Sequence, residues 1–527
     1  MDAPNPLLTA VSAHVVAAVV ADELRRPART VGALLRFSLH TGLFTRHTVL
    51  PDPGCPDCAD LPADTREAAW IGRRPLPKPD PETFRTTPLH GRWDELLRSY
   101  VDRETGVIGS LAAGSPHGIP TATARLGPPN QGDASRHGYG RSSDFRTARL
   151  TAITEALERY GNPHPLGRRT TVRAPYTEVA DDALDPRALG LYPDDWYDQP
   201  DFRFARFDPD TPLAWVWGYS FRRAEPVLVP ESYAYYGART VGEDRSLAYE
   251  CSNGCALGGC LEEAILYGLL EVAERDAFLM TWYARLPVPR LDLGSARDRR
   301  IPVLAEFLRR RRGYEASAFS ITMEQRVPAV LVLLVDALGR SDVPRHGFSA
   351  AAHPDPERAL RSALTDAAAG IGSRMGRFDA DHAARMVADP DEVREMPDHA
   401  LLHGHPDTAP RLAFLDTGAT AVPLADLAAH TAWPRHHDLG DDLAELVRRY
   451  LDTGLDVIAV DTTTPEQRAG GFAGAKVIVP GTLPMTFGHR FRRTHGIPRL
   501  ATVPRLLGHR ATDLTPDDVN PHPHPFP

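Results

Sequence analysis

Two glutamate-bearing segments decide the interpretation of this chain. Residues 151–160 read Thr-Ala-Ile-Thr-Glu-Ala-Leu-Glu-Arg-Tyr, and residues 261–276 read Leu-Glu-Glu-Ala-Ile-Leu-Tyr-Gly-Leu-Leu-Glu-Val-Ala-Glu-Arg-Asp. Both contain Glu-x-x-Glu-Arg, and they lie roughly a hundred residues apart. Carboxylates that recur at this spacing on two helices can gather around a divalent cation, and Mg²⁺ binds carboxylates together with substrate phosphates. The two segments therefore indicate a cation site and, through the cation, a nucleotide site.

Helical geometry makes this indication more specific. At about 100° per residue, Glu155 and Glu158 share the face opposite the apolar side chains of their segment. On the same geometry, Glu263, Glu271 and Glu274 fall within an arc of roughly 80° on a helix that is otherwise mostly apolar. A helix with so wide an apolar surface is largely buried, and like charges on its remaining stripe are costly unless a cation faces them. For either segment alone, the alternative is an amphipathic helix whose glutamates face solvent.

Small-residue loops precede both segments. Residues 138–143 read Gly-Tyr-Gly-Arg-Ser-Ser, and residues 252–259 read Ser-Asn-Gly-Cys-Ala-Leu-Gly-Gly. We interpret the first loop as a turn whose Arg141 contacts phosphate. Arg159 and Arg275, which directly follow Glu158 and Glu274, are further candidates, because guanidinium groups bind phosphate bidentately. The sequence contains neither a P-loop nor the Gly-x-Gly-x-x-Gly dinucleotide motif.

Composition excludes several classes of protein. The chain has 527 residues, 42% of them hydrophobic, and a formal net charge of −9, which argues against broad binding to nucleic acid or to anionic membranes. No run approaches the ~20 apolar residues of a membrane span, and the start lacks the basic region of a signal peptide. Five cysteines without a secretory signal favour reduced thiols, so we expect a cytoplasmic protein.

Periodicity predicts a mixed α/β fold with a small, mainly helical N-terminal domain. Residues 11–24 and 31–43 are expected to be helical, and the proline-rich residues 73–90 are interpreted as a linker. The domain division is predicted as 1–85 and 86–527. Within the second domain, the pattern predicts strands at 215–219, 227–230, 329–336, 455–462 and 476–479, and helices at 261–284 and 356–370.

The sequence resembles the YcaO family of ATP-dependent backbone-amide activators. The succession Ser-Asn-Gly-x-Ala-x-Gly, Glu-Glu-Ala-Ile and Glu-x-x-Glu-Arg-Asp-Ala is similar to the central signature of that family, and Ala-Leu-Glu-Arg at 156–159 is similar to an earlier one. The resemblance extends over roughly residues 88–527. It implies a mixed α+β domain that binds ATP and Mg²⁺.

The resemblance also implies roles for individual residues. Arg141 falls where the family often has the lysine of a Gly-Lys-Gly turn, and Arg92 and Ser99 match an early nucleotide-contacting Lys/Ser pair. The carboxylates expected to bind Mg²⁺ and ATP are Glu155, Glu158, Glu263, Glu271 and Glu274, with Arg275 as the phosphate-binding arginine.

The C-terminus has a distinctive proline pattern. Residues 521–527 read Pro-His-Pro-His-Pro-Phe-Pro. Alone, such a segment is typical of a disordered polyproline tail or of a ligand for an aromatic groove. Within the YcaO family it resembles the ending of azoline-forming cyclodehydratases, in which the tail reaches the active site. A stiff proline segment loses little entropy on ordering, and the resemblance implies that the carboxylate of Pro527 acts as a catalytic group.

A cysteine pair near the N-terminus suggests zinc. Cys55-Pro-Asp-Cys58 is half of a zinc knuckle, and a closed structural site needs four ligands. The segment resembles the end of the ubiquitin-activating-like domain that precedes the YcaO module in fused cyclodehydratases. Either the site is lost, or Zn²⁺ on Cys55 and Cys58 is completed by other ligands, such as those of a partner chain.

Together the residues and the resemblance predict a YcaO-type cyclodehydratase, as found in the biosynthesis of thiopeptides and bacteriocins. It is expected to convert Cys, and also Ser or Thr, of a ribosomally made precursor peptide into thiazolines or oxazolines with ATP and Mg²⁺. The expected partners are a separate leader-binding, ubiquitin-activating-like protein and a downstream flavin dehydrogenase, and a homodimer is expected. The alternatives are another YcaO reaction, such as thioamidation, and a non-catalytic scaffold subunit.

Overall fold

The computed structural model describes residues 9–25, 32–55, 59–115, 118–127, 137–200, 202–237 and 246–526. In these ranges no helix has the length and apolar character needed to cross a membrane. The helices are α1 (Ala10–Arg25), α2 (Trp93–Tyr100), α3 (Phe145–Gly161), α4 (Tyr176–Val179), α5 (Glu231–Ala234), α6 (Leu261–Tyr283), α7 (Arg300–Phe307), α8 (Pro356–Arg374), α9 (Ala380–Ala388), α10 (Met396–His403), α11 (Leu424–His430), α12 (Leu439–Asp452), α13 (Pro465–Ala469) and α14 (Pro498–Leu506).

The strands form several sheets. They are β1 (Ala33–Phe37), β2 (Phe44–Thr48), β3 (Ile108–Gly114), β4 (Thr121–Leu126), β5 (His137–Arg141), β6 (Val172–Pro175), β7 (Pro212–Ser220), β8 (Glu225–Pro230), β9 (Cys255–Gly258), β10 (Arg290–Asp292), β11 (Tyr314–Ser320), β12 (Ala329–Asp336), β13 (His346–Ala352), β14 (Val422–Pro423), β15 (Ile458–Asp461) and β16 (Ala473–Ile478). A six-stranded sheet runs β6-β7-β15-β16-β9 with β8 on β7, and a five-stranded sheet runs β13-β12-β11-β10-β14. The smaller sheets are β3-β4-β5 and β1-β2. The predicted mixed α/β fold is confirmed.

Helix α6 is the central element of the fold. It packs on β9 and β16 of the six-stranded sheet, on β12 and β13 of the five-stranded sheet, and on α12. Its side chains are buried on most of its circumference, as its wide apolar arc predicts. Functional groups on its polar stripe are therefore held by a rigid, doubly covered helix.

Helix α3 packs on the small sheet with unusually close contact. A Cβ added at Gly138 would lie 2.2 Å from the carbonyl oxygen of Ala152, and one at Gly140 would lie 1.7 Å from that of Ala148. The turn predicted at residues 138–143 is wrong, because its first four residues belong to strand β5, whereas the phosphate contact of Arg141 stays a prediction. The two glycines are required because the backbone of α3 lies directly on the strand.

The N-terminal region is only partly helical. Helix α1 is confirmed, but the second predicted helix, at residues 31–43, is wrong because residues 33–48 form the antiparallel hairpin β1-β2. Side chains of β1 alternate between half-buried and exposed, and the rings of Phe37 and Phe44 pair at 4.6 Å. Gly42 turns the chain at a φ of +70°. Alternation with a period of two, which the helical interpretation overlooked, explains the difference.

The other predicted elements agree with the structure to within a few residues. The confirmed set is α6, α8, β7, β8, β12, β15 and β16. The proline-rich residues 73–90 pack on the second domain, where Arg74 binds Glu262 on α6 and Lys78 forms a buried ion pair with Asp442 on α12. The domain division near residue 85 stays a prediction.

Candidate functional site

Helices α3 and α6 bring four of the predicted carboxylates into one electrostatic cluster. Burial raises the pKa of Glu158 well above its ordinary value, and the charges of Glu271 and Glu155 raise it further. Burial likewise raises the pKa of Glu274 to about 8, although Arg275 opposes the rise, while Glu271 adds to it. Carboxyl groups that are buried and repel one another in this way ionise more readily when a cation lies beside them. We call Glu155, Glu158, Glu271 and Glu274 the acidic cluster.

Two arginines from the same helices balance part of this charge. Arg159 lies 2.6 Å from a carboxylate oxygen of Glu155, and Arg275 lies 3.3 Å from one of Glu271. The Nε of Arg275 lies 3.2 Å from a Glu274 oxygen, at an angle unsuited to a hydrogen bond, so charge alone links this pair. Guanidinium groups beside carboxylates can bind phosphate oxygens while a cation binds the carboxylates.

The loop before β9 is fixed against α6. Lys476 on β16 donates hydrogen bonds to the carbonyls of Cys251 and Asn253, at 3.1 and 2.6 Å. Gly254 has a φ of +79°, and a Cβ there would lie 2.2 Å from the carbonyl oxygen of Val477. The backbone N–H of Gly254 bonds to Glu271, which partly offsets the rise that burial causes in the pKa of this carboxyl. The predicted small-residue loop thus supports the acidic cluster.

Glu263 lies apart from the acidic cluster. It precedes Glu271 by eight residues, about 12 Å of helix at 1.5 Å per residue. Its Oε1 lies 3.4 Å from Arg85, and its buried Oε2 has no hydrogen-bond partner in the described part of the chain. Arg85 also covers the ring of Tyr267, one turn further along α6. Glu263 therefore lies at the far end of the same stripe, beside an arginine that sequence reasoning missed.

A fifth carboxylate, Asp366 on α8, joins the acidic cluster. It lies 3.2 Å from Arg141 at the end of β5, and its charge adds to the rise that burial causes in the pKa values of Glu274 and Glu155. Sequence reasoning missed Asp366 because no repeat of carboxylates marks it. The packing of α8 on β12 and β13 carries it to the cluster.

The predicted pair Arg92 and Ser99 is not brought to the acidic cluster by any contact among the described residues. Arg92 donates a hydrogen bond of 2.6 Å to Glu95, contacts the carbonyl of Gly470, and covers the ring of Phe472 at 5.0 Å. Ser99 is half-buried on α2. A nucleotide role for either residue stays a prediction.

The C-terminal tail packs at the acidic cluster. Phe526 is buried, and the guanidinium of Arg275 lies 4.1 Å from the centre of its ring. The ring also packs edge-on against Phe278 of α6 at 4.8 Å. The alternative of a disordered tail does not hold for residues 521–526. Pro527, the predicted catalytic terminus, lies outside the described residues.

The acidic cluster suits Mg²⁺ bound together with phosphate. Among the described residues, no three His, Cys, Asp or Glu side chains are grouped as a ready metal site. Mg²⁺ needs only one or two carboxylates when phosphate oxygens complete its shell. Burial and then neighbouring carboxylates raise the pKa values of Glu158 and Glu274, and a bound cation would favour their ionised forms. Zinc stays a prediction, because the metal-ligand groups sought among the described residues do not include one at Cys55, and Cys58 lies outside those residues.

Comparisons with known proteins agree with this geometry. The sequence model of the YcaO family, described as an ATP- and Mg²⁺-binding cyclodehydratase, matches residues 139–483. An uncharacterised protein of Methanothermobacter thermautotrophicus is 28% identical over 251 residues, which are 48% of this chain and 61% of the relative. An uncharacterised protein encoded in the tfuA 3′ region of Rhizobium leguminosarum bv. trifolii is 31% identical over 301 residues, which are 53% of this chain and 63% of the relative.

Two solved structures share the fold. A heterocyclase in complex with substrate and cofactor superposes with a TM-score of 0.78 at 22% identity, covering 100% of this chain and 70% of the other. The heterocyclase TruD superposes with a TM-score of 0.66 at 21% identity, covering 98% of this chain and 65% of the other. At such identities the likeness concerns the fold.

Fold and site together define a mixed α/β protein whose arginine-balanced carboxylates suit a cation and a phosphate group. The family match covers well over half of the sequence, and the chain belongs to the YcaO family. It spans less than two thirds of the length of the two curated relatives.

Proposed function

We propose that the protein is an ATP-dependent peptide cyclodehydratase. The observation that carries this proposal is the meeting of the acidic cluster, Arg275 and the proline-rich tail at one place. The cluster supports the binding of Mg²⁺ and ATP, and the tail supports chemistry on a peptide close to the phosphates. The substrate is a ribosomally made precursor peptide that carries Cys, Ser or Thr.

In the proposed reaction, the thiol of a peptide cysteine, or the hydroxyl of Ser or Thr, attacks the preceding backbone carbonyl carbon. The amide oxygen of the resulting hemiorthoamide takes the γ-phosphoryl group of ATP and leaves ADP. Phosphate then departs with that oxygen, and loss of the N–H proton closes the C=N bond of the azoline. One ATP is converted to ADP and phosphate for each ring, and the peptide loses one water.

The residues of the site have distinct roles in this proposal. Glu155, Glu158, Glu271 and Glu274 hold Mg²⁺, which supplies charge neutralisation on the phosphates when bound. Arg275 neutralises charge that develops in phosphoryl transfer, and the Pro527 carboxylate accepts a proton from the peptide. A separate leader-binding protein delivers the peptide, and a flavin dehydrogenase oxidises the azolines where azoles form.

The test is direct. The full chain is incubated with its partner protein, the precursor peptide, ATP and Mg²⁺. Mass spectrometry measures the mass of the peptide, and a phosphate assay measures ATP turnover. We expect loss of one water per ring, matched by ATP turnover. Glu271→Gln should lower both by at least about a hundredfold, because a carboxylate that holds the metal is lost.

Glu262→Gln is the matched control. Glu262 lies on α6 within the same helix but binds the exposed Arg74, at 2.8 Å, on a different face. We expect it to retain full turnover. Sulfur gain without water loss would show a thioamide-forming reaction instead, and an unmodified peptide with no ATP turnover would overturn the proposed function.

A further inference from the structure

The proline pattern of the tail restricts how it can be held. Pro521, Pro523 and Pro525 have no N–H group, and a polyproline segment forms no backbone hydrogen bonds within itself. Its carbonyl oxygens remain acceptors, and a buried carbonyl without a donor is costly. The donors must therefore come from outside the tail.

The structure supplies these donors from side chains. Trp282 of α6 donates its Nε1–H to the carbonyl of His522 at 3.0 Å. His403 of α10 donates through Nε2 to the carbonyl of Pro523 at 2.9 Å, and His399 donates through Nδ1 to that of His524 at 2.8 Å. The backbone carbonyls of three successive tail residues, 522 to 524, thus each accept a hydrogen bond from a buried side chain.

The neighbouring bonds fix which nitrogen of each histidine carries its proton. The Nε2 of His399 accepts a hydrogen bond from the backbone N–H of Gly488 at 2.9 Å, so the proton lies on Nδ1. The ring of His399 also stacks on that of His524 at 4.1 Å. Burial lowers the pKa of His403 to about 3 and that of His399 to about 4, so both rings are neutral at physiological pH.

The two histidines are themselves rigidly placed. They lie four residues apart on α10 and therefore on one face of that helix. Helix α10 begins with a capping box between Glu395 and Asp398. The carbonyl of His403 accepts a hydrogen bond from His346 of β13 at 3.0 Å, which joins α10 to the five-stranded sheet.

We propose that His399 and His403 are positioning residues that hold Phe526, the residue before the terminus, beside Arg275 by binding the carbonyls of His524 and Pro523. They touch neither the nucleotide nor the peptide substrate and act only through the tail. This inference rests on the proposed function, in which the terminus takes part in catalysis. Two measurements distinguish a failure of this inference from a failure of the proposed function.

The first readout is hydrogen exchange of the full chain without substrate. His403→Leu and His399→Leu remove the donors, whereas His403→Gln and His399→Asn place an amide N–H near the same positions. Trp282→Phe removes only one N–H and serves if the leucine variants do not fold. We expect the amides of His524 and Phe526 to exchange at least about tenfold faster in the leucine and Trp282→Phe variants, with the amide-bearing variants close to wild type.

The second readout is a double-mutant cycle with a chain that lacks only Pro527. In the complete chain, His403→Leu should lower the kcat of azoline formation by roughly tenfold or more and leave the KM for ATP nearly unchanged. In the chain without Pro527, the same substitution should cost less than about twofold, because the group that it positions is absent.

Two results would overturn the inference. One is unchanged exchange of the tail amides in His399→Leu, His403→Leu and Trp282→Phe. The other is a loss of kcat from His403→Leu that is equally large with and without Pro527, which would mean that His403 acts by another route. If the wild-type chain dehydrates no peptide, the proposed function fails, and hydrogen exchange alone then decides whether the histidines hold the tail.

Discussion

At the scale of the single residue, neighbours in sequence behave as opposites. Burial raises the pKa of Glu262, but hydrogen bonds from Arg74 outweigh that effect and leave the pKa below its ordinary value. Burial raises the pKa of the adjacent Glu263, and Arg85 offsets only part of the rise. The first carboxylate is buried and paired with a largely exposed arginine, and the second is buried with one oxygen that has no hydrogen-bond partner among the described residues. Their environments differ because successive residues on a helix point about 100° apart.

Asp366 offers a test of the acidic cluster at this scale. We expect Asp366→Asn to weaken the binding of Mg·ATP by roughly tenfold, because removing one carboxylate lowers the attraction for the cation by about 1.4 kcal/mol. Isothermal titration of ATP at fixed Mg²⁺ measures the change.

Asp381→Asn is the control for this titration. Asp381 is exposed in the first turn of α9, so the same chemical change should leave the affinity unaltered. An affinity equal to wild type in Asp366→Asn would remove Asp366 from the site.

At the scale of the elements, close backbone contacts at glycine residues set the geometry of the acidic cluster in two places. Strand β5 meets α3 through Gly138 and Gly140, and the loop before β9 meets β16 through Gly254. Such close approach leaves little freedom for α3 to shift relative to the sheet. These glycines have no reactive side chain, but they determine how close the carboxylates of α3 lie to the sheet.

Gly140→Ala tests this packing. The added methyl group would overlap the carbonyl of Ala148, so we expect a loss of about 3 kcal/mol in the free energy of unfolding and a lower affinity for ATP. Differential scanning calorimetry and ATP titration measure the two effects.

Gly91→Ala is the matched substitution, since nothing lies within 4 Å of a Cβ at that position. We expect its unfolding midpoint to lie close to that of wild type. Equal midpoints for Gly140→Ala and Gly91→Ala would contradict the close packing of α3 on β5.

At the scale of the whole molecule, buried ion pairs join segments that are distant in sequence. The chain has two lysines, Lys78 and Lys476, and both are buried. Lys78 pairs with Asp442, and Lys476 contacts Glu250, which Arg493 also binds at 2.7 Å. Breaking such a pair leaves an uncompensated buried charge, so these pairs specify how the segments fit together.

The buried histidines predict how stability depends on pH. The pKa of His403 falls from 6.5 to about 3 on folding and that of His399 falls to about 4, so the unfolded chain binds more protons between these values. Their contribution to stability is present above pH 6.5 and is lost as the pH falls toward 4. We expect up to about 1.4 kcal/mol per pH unit from each histidine.

Denaturant unfolding at several pH values between 7.5 and roughly 4.5 measures this slope. Arg411, His346 and His399 surround His403 and all disfavour its protonation. His403→Gln should flatten the slope relative to wild type because glutamine does not titrate. An unchanged slope would contradict the buried, neutral state of His403.

The sequence by itself determined the features that depend on local pattern. The wide apolar arc of α6 predicted its burial, and continuous apolar residues predicted β12. The motif Glu-x-x-Glu-Arg in two helices predicted the four glutamates of the acidic cluster. Periodicity shows which way a side chain points from its own helix, and a few turns of sequence are enough to determine this direction.

Only the tertiary structure decided which groups share the site. It added Asp366 from α8, placed Glu263 beside Arg85, and showed that residues 138–141, predicted as a turn, belong to the strand on which α3 lies. It also brought Phe526 to Arg275, held by donors from α6 and α10. A helical wheel gives angles but no distances between elements, and the carbonyl groups of a proline-rich tail do not show in the sequence which donors will bind them.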